Sequence, residues 1–370
     1  MSFKNTIKTT MALGAALGVF MAGQALAAER VLKVTNWAEY IAEDTISNFE
    51  KETGIKVIYD TYESAESIDA KLLAGSSGYD VVSHAGSFVA RLIMAGGILQ
   101  KLDASKLDNV KHMDPAIMEQ LGKDWDPGNS HFVPFMWGSH GMTYNKELVL
   151  ETNPNAPLNL DLIFNPDEIA KVAKCGISML DSPTDIIPMA MAYMGLDPNS
   201  TNPADYKKVG AMLAKIRPHI KTFDNYAYQR MPQKEFCIAT TWGPDGLLAM
   251  SGAEEANTGV VLDFYLPEGQ NAANLWIDGW VVPADAENVE EAHMFLNYMM
   301  RPEVGAADSN YTWYATANMT AKPMIDEAVT SSPAAFPTPA QVSLMYTGKV
   351  LPPKIKRLQT RTWTDFKAGK

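Results

Sequence analysis

The sequence predicts an α/β protein made of two doubly wound lobes, and three observations lead to that class. Short apolar runs alternate with helical patterns from residue 31 onward. The same alternation resumes near residue 138 after an interruption. Once an N-terminal leader is set aside, about 340 residues remain, more than one hydrophobic core usually accommodates.

The elements follow in order. Residues 31–35, Val-Leu-Lys-Val-Thr, read as a buried strand with 36–40 as the loop at its carboxyl end. Asp44 is placed to cap a helix that runs through Asn48, Phe49 and Glu52 and stops at Gly54, with Ile46 and Phe49 on its apolar face. Residues 55–59 form a second strand, a helix carrying Ile68, Leu72 and Leu73 ends at Gly75, and 80–82 form a third strand. This βαβαβ opening predicts a mainly parallel sheet with helices on both faces. Beyond Pro134 the strands are expected at 141–144, 177–180, 236–240, 259–262 and 279–282, with helices at 166–172 and 289–300.

The first 27 residues read as a cleaved export signal. Lys4 and Lys8 precede an apolar stretch from Met11 to Met21, and Ala25-Leu26-Ala27 is a small-x-small cleavage site that puts the mature start near Ala28. The apolar run is too short for a permanent span, and nothing after residue 28 resembles one. Loss of Lys4 and Lys8 leaves 29 basic residues against 43 acids, a formal charge of −14. Such a surface repels nucleic acid and anionic lipid and concentrates cationic solutes. Cys175 and Cys237 are the only cysteines. In an oxidising compartment an even count favours one structural disulfide, two buried free thiols being the alternative.

Enzyme signatures are absent. There is no GxSxG, GxxxxGK[ST], GxGxxG or HExxH, and the six histidines are scattered, so neither a catalytic centre, a metal nor a cofactor is expected. What recurs is tryptophan beside a carboxylate near strand ends: Trp37 with Glu39 and Tyr40, Trp242 with Asp245, and Trp276 with Asp278. Ligands of open α/β sheets sit outside the carboxyl ends of the strands, so these pairs could converge on one cleft. An alkylammonium needs this mixture. Carboxylates pair with the charge, while aromatic faces cover the methylenes and add cation–π attraction of about 0.5–2 kcal/mol each. Taken singly, each tryptophan has core packing as its commoner reading.

Several segments resemble the periplasmic putrescine- and spermidine-binding receptors of bacterial ABC importers. They are Asn-Trp-Ala-Glu-Tyr-Ile at 36–41, Phe-Glu-Lys-Glu-Thr-Gly-Ile-Lys-Val at 49–57, Lys-Leu-Leu-Ala-Gly at 71–75 with Tyr-Asp-Val-Val at 79–82, Pro-Phe-Met-Trp-Gly at 134–138, Phe-Leu-Asn-Tyr-Met-Met-Arg-Pro-Glu at 295–303 and Arg-Thr-Trp at 361–363. The resemblance implies a type II periplasmic-binding-protein fold with hinge crossovers. It implies one lobe of 28–138 with 274–322 and another of 139–273 with 323–370. By matching position it places Trp37, Glu39, Tyr40, Ala85, Ser87, Asp185, Trp242, Asp245, Trp276, Asp278 and Tyr314 around the ligand, with Trp276 and Asp278 at a crossover. Asp245 and Asp278 would hold ammonium groups, and Trp37, Trp242, Trp276 and Tyr314 would box the carbon chain.

The departures bear on which amine fits. Position 38 is Ala where the family usually has a hydroxyl, Ser83-His84-Ala85 replaces Pro-Ser, and Asp185 stands for the usual Glu. His84 reads as a packing or surface residue before a ligand contact. Expected partners are a small cationic amine and an inner-membrane ABC permease, with no nucleic acid, for a monomer in the periplasm. A sensing subunit that signals to a membrane receptor is the alternative role, and a modified amine the alternative ligand.

Overall fold

A computed structural model describes residues 30–370, and the predicted leader with its cleavage site lies outside them. The opening forms as the pattern predicts. β1 (Val31–Trp37), β2 (Lys56–Tyr62) and β3 (Val81–Ala85) pair in parallel, with β1 between the other two. The apolar residues Leu32, Val34, Val81 and Val82 are fully buried between the flanking helices. The first helix, Thr45–Thr53, ends at Gly54, whose φ of 70° allows its N–H to reach the Glu50 carbonyl. Asp44 precedes that helix but makes no side-chain cap; its carboxylate accepts from Asn48 Nδ2 instead.

β4 (Val133–Gly138) belongs to the first sheet and β5 (His140–Asn145) to a second, so the chain changes sheet across the single residue Ser139. The second sheet then gathers β6 (Ile177–Met179), β7 (Thr222–Phe223), β8 (Ile238–Trp242) and β9 (Leu262–Tyr265) in the order β7-β6-β8-β5-β9. β10 (Asn274–Val281) brings the chain back to the first sheet, which β11 (Ala315–Thr316) and β12 (Tyr346–Thr347) complete. The first sheet runs β11-β4-β10-β3-β1-β2, with β12 on β10.

The expectation of mainly parallel sheets therefore holds for β2-β1-β3, β7-β6-β8 and the short β10-β12 pair. β10 enters from the other sheet and runs antiparallel to both β3 and β4, while β5 is antiparallel to β8 and β9. The strand expected at 259–262 forms later, as β9, because Val261 is 60% exposed and the pairing with β5 begins only at Leu262. Trp276 and Asp278 lie within β10 itself and not in a connecting loop.

Two main cores result. One contains Leu32, Phe49, Trp280, Phe295 and their neighbours; the other contains Ile163, Ile187, Tyr206 and Ile238. The last 48 residues do not all follow the second core, as the expected division at 323 has it. β12 pairs with β10, and Phe336, Val342 and Met345 pack on the first core, whereas Ile355, Trp363 and Phe366 of the helix Pro353–Lys367 are buried in the second. The tail thus ties the two cores together.

Cys175 and Cys237 form a disulfide with Cα atoms 5.5 Å apart, just before the adjacent parallel strands β6 and β8. It closes a loop spanning 62 positions. Replacing both residues by Ala is expected to lower the unfolding free energy by about 4 kcal/mol on the chain-entropy account. Urea denaturation of the oxidised protein and the variant checks this, and a difference under about 1 kcal/mol would remove the bridge as a main source of stability.

Candidate functional site

Because β1, β2 and β3 are parallel, their carboxyl ends share one edge of the first sheet, and a cavity of about 940 Å³ opens there toward the second sheet. All eleven residues expected around a ligand line this cavity. Trp37 is the last residue of β1, and Glu39 follows in a left-handed turn with φ of 55° that leads into Tyr40. Ala85 ends β3, and Ser87 sits in the first turn of the helix Gly86–Ala95. Asp185 and Asp245 occupy the first turns of Pro183–Tyr193 and Gly243–Glu255, the latter directly after Trp242 closes β8.

Trp276 and Asp278 point from the same face of β10, two residues apart. The register against β4 shifts between Asp278 and Gly279, a bulge that re-aims the side chain there. Gly138 of β4 must lack a side chain, since a Cβ would come within 2.6 Å of the Trp276 ring. Tyr314 follows the helix Pro302–Thr312 through Trp313, another left-handed residue, with φ of 63°.

The two deepest carboxylates are each held by a tyrosine. Tyr40 Oη donates to Asp278 Oδ2 at 3.2 Å, and Tyr314 Oη donates to Asp245 Oδ1 at 2.6 Å. The two phenol rings meet edge to face at 5.0 Å, and Trp276 lies 5.7 Å from Tyr314. Also on the first core's side, Trp37 packs 4.5 Å from Tyr62.

Burial pushes Asp245 up to about 7; Tyr314 pulls it partly back and the charge of Glu39 raises it further. Burial likewise pushes Asp278 up to about 7, opposed by Tyr40 and reinforced by Asp185. The acids thus fall into two groups, Asp245 with Glu39 and Asp278 with Asp185. Asp185 also accepts from Ser182 Oγ at 2.7 Å. Seven carboxyl side chains line the cavity, and no Lys, Arg or His does. Such a field favours a ligand with more than one positive charge and disfavours anions.

The structure adds residues that the sequence reading missed. Tyr62 lies beside Trp37 because the two end their parallel strands in register, and Phe88 continues the wall one residue past Ser87. Tyr226, Tyr228 and Gln229 come from the short 3-10 helix Ala227–Gln233 and its N-cap before β8, where no apolar periodicity marks them. His84 does not line the cavity. It is fully buried behind the wall against Phe88 and Trp37, and burial drives its pKa down to about 3, leaving the imidazole neutral. Among the described residues no cluster of His, Cys, Asp or Glu could hold a metal ion, and no helix is long and apolar enough to cross a membrane.

The family model for bacterial extracellular solute-binding proteins matches residues 44–338. The chain belongs to this family. It is 42% identical over 367 residues to the putrescine-binding periplasmic protein SpuD of Pseudomonas aeruginosa, covering 98% of each chain. It is 40% identical over 365 residues to the putrescine-binding periplasmic protein PotF of Escherichia coli, covering 96% of this chain and 97% of the other. Among solved structures, a Listeria monocytogenes chain assigned to a spermidine/putrescine ABC transporter superimposes with a TM-score of 0.80 at 28% identity, over 92% of this chain and 100% of that one.

The fold shared with these solute-binding proteins is the type II periplasmic-binding-protein fold. In a solute-binding protein the cavity between two cores is where the solute is expected, and here it is the site with the buried acids and the aromatic wall.

Proposed function

We propose that this protein captures a polyamine, putrescine- or spermidine-like, in the periplasm and delivers it to an ABC permease, without catalysing a reaction. One observation carries the reading: a cavity with seven carboxylates, no basic side chain and an aromatic lining. An ammonium entering it exchanges water for Asp278 or Asp245, a charge-assisted hydrogen bond in a low-dielectric site. The faces of Trp37, Trp242, Trp276 and Tyr314 cover the methylenes and attract the charge. The names carried by the related SpuD and PotF point to the same ligand class.

Glu39, Tyr40, Ala85, Ser87 and Asp185 complete the proposed contact set. Ala38 and Ala85 offer no hydroxyl, and Asp185, one methylene shorter than Glu, reaches a ligand through water. Fewer direct polar contacts at this end fit a ligand whose binding rests on Asp245, Asp278 and stacking. Residues 1–27 direct export, the mature chain starts near Ala28, and the protein acts as a monomer. The two lobes comprise 28–138 with 274–322 and 139–273 with the terminal helix Pro353–Lys367, and their closure on the ligand creates the surface that the permease reads.

Titrating the mature protein with putrescine, cadaverine, spermidine and agmatine while following tryptophan fluorescence is expected to give saturable binding of at least one. Four tryptophans in the wall, Trp37, Trp125, Trp242 and Trp276, make the signal large. If none of the four binds, the polyamine reading fails.

A further inference from the structure

The cavity wall carries no base, yet one lies just behind it. Lys356 stands on the helix Pro353–Lys367, anchored in the second core by Ile355, Trp363 and Phe366. Its Nζ is 5.3 Å from the centroid of Phe88, a ring that lines the cavity from the first core's side. Arg91 covers the same ring at 5.9 Å. Lys356 is partly buried, and among the described residues no carboxylate forms an ion pair with it.

We infer that Lys356 is a specificity-determining residue: a resident ammonium that offsets the acids at one end of the cavity and so limits how many charges a ligand brings there. The inference rests on the amine reading above and concerns which amine is preferred. Burial lowers the pKa of Lys356 first, Glu66 raises it, Arg91 lowers it and Asp185 raises it, so the ammonium interacts through space with two acids of the cavity wall. Glu66 comes from the helix Ala65–Leu73 and Asp185 from Pro183–Tyr193, so Lys356 answers one acid from each core.

The consequence is a charge ceiling. Lys356 is not among the charges that act on Asp245 and Asp278, which stay available to a diamine. A third ammonium directed toward Glu66 and Asp185 meets a like charge already there, and like charges a few ångströms apart in a partly buried site repel strongly. With a neutral residue at 356, Asp185 loses its compensating cation and Glu66 keeps only Arg91, so this end of the cavity gains negative charge for a third ammonium.

The test compares spermidine with putrescine by calorimetry on the wild type, Lys356→Met and Lys356→Arg. Met keeps the apolar cover over Phe88, and Arg keeps the charge. Lys356→Met is expected to raise spermidine affinity about tenfold while putrescine stays within about threefold, the gain shrinking in high salt. Lys356→Arg should keep the wild-type ratio. If the wild type binds putrescine and Lys356→Met leaves the ratio unchanged, or weakens both amines equally, the role of Lys356 is overturned while the amine reading stands. If the wild type binds neither, the amine reading fails and this inference falls with it. Should the Met variant not fold, Lys356→Gln reads the same ratio.

Discussion

Asp278→Asn is expected to abolish measurable diamine binding while leaving the protein folded and, without ligand, more stable near pH 8. Asn keeps the shape and still accepts from Tyr40 Oη, which now holds the carboxylate at 3.2 Å. What is lost is the charge. A ligand ammonium left in a buried site without its partner costs about 3–5 kcal/mol, or two to three and a half orders of magnitude in affinity. The gain in ligand-free stability follows from the same burial. Asp278, pushed up to about 7, is ionised near pH 8 at the expense of the fold. Calorimetry and thermal unfolding together test both halves. Unchanged affinity would sink the proposed ammonium site, and a fall in both affinity and ligand-free stability would make Asp278 a structural residue.

Binding should also strengthen steeply between pH 6 and 8. Asp245 and Asp278 both sit near 7, about three units above an ordinary aspartate, because burial penalises their charged forms. An alkylammonium with a pKa near that of lysine, ~10.4, stays charged throughout this window. Each carboxylate that must release a proton to meet it weakens binding about tenfold at pH 6 relative to pH 8. The release is read from calorimetry in buffers of different ionisation enthalpy.

The ligand-free protein runs the other way. Its folded-state pKa values exceed the unfolded ones, so the native state binds more protons between about pH 4 and 7. The stability these two groups contribute is present below about pH 4 and is lost as pH rises through about 7. Asp308, also raised to about 7 by burial, adds to the same slope. Affinity that stays flat from pH 6 to 8 would mean that both site carboxylates are already ionised in the empty cavity.

Much of the scaffold was legible because its signals are local. The apolar runs of β1 and β3, and Gly54 at a left-handed helix end, act within a few residues. Tryptophan beside an acid marked three corners of the cavity for the same reason: the two members of each pair are only two or three residues apart in the chain. Asp44 shows the limit, since a capping residue in the right place bonded Asn48 instead.

By itself, then, the sequence determined the α/β class and the residue types that an amine site needs, and it favoured a disulfide that the structure then shows. Only the tertiary structure decided how they work together. Tyr40 meets Asp278 across 238 positions and Tyr314 meets Asp245 across 69, and no local pattern encodes either hydrogen bond. The antiparallel entry of β10, the tail's passage over both cores and the position of Lys356 behind Phe88 depend likewise on long-range packing. The raised carboxyls share that origin, because burial belongs to the assembled cavity and not to any segment of the chain.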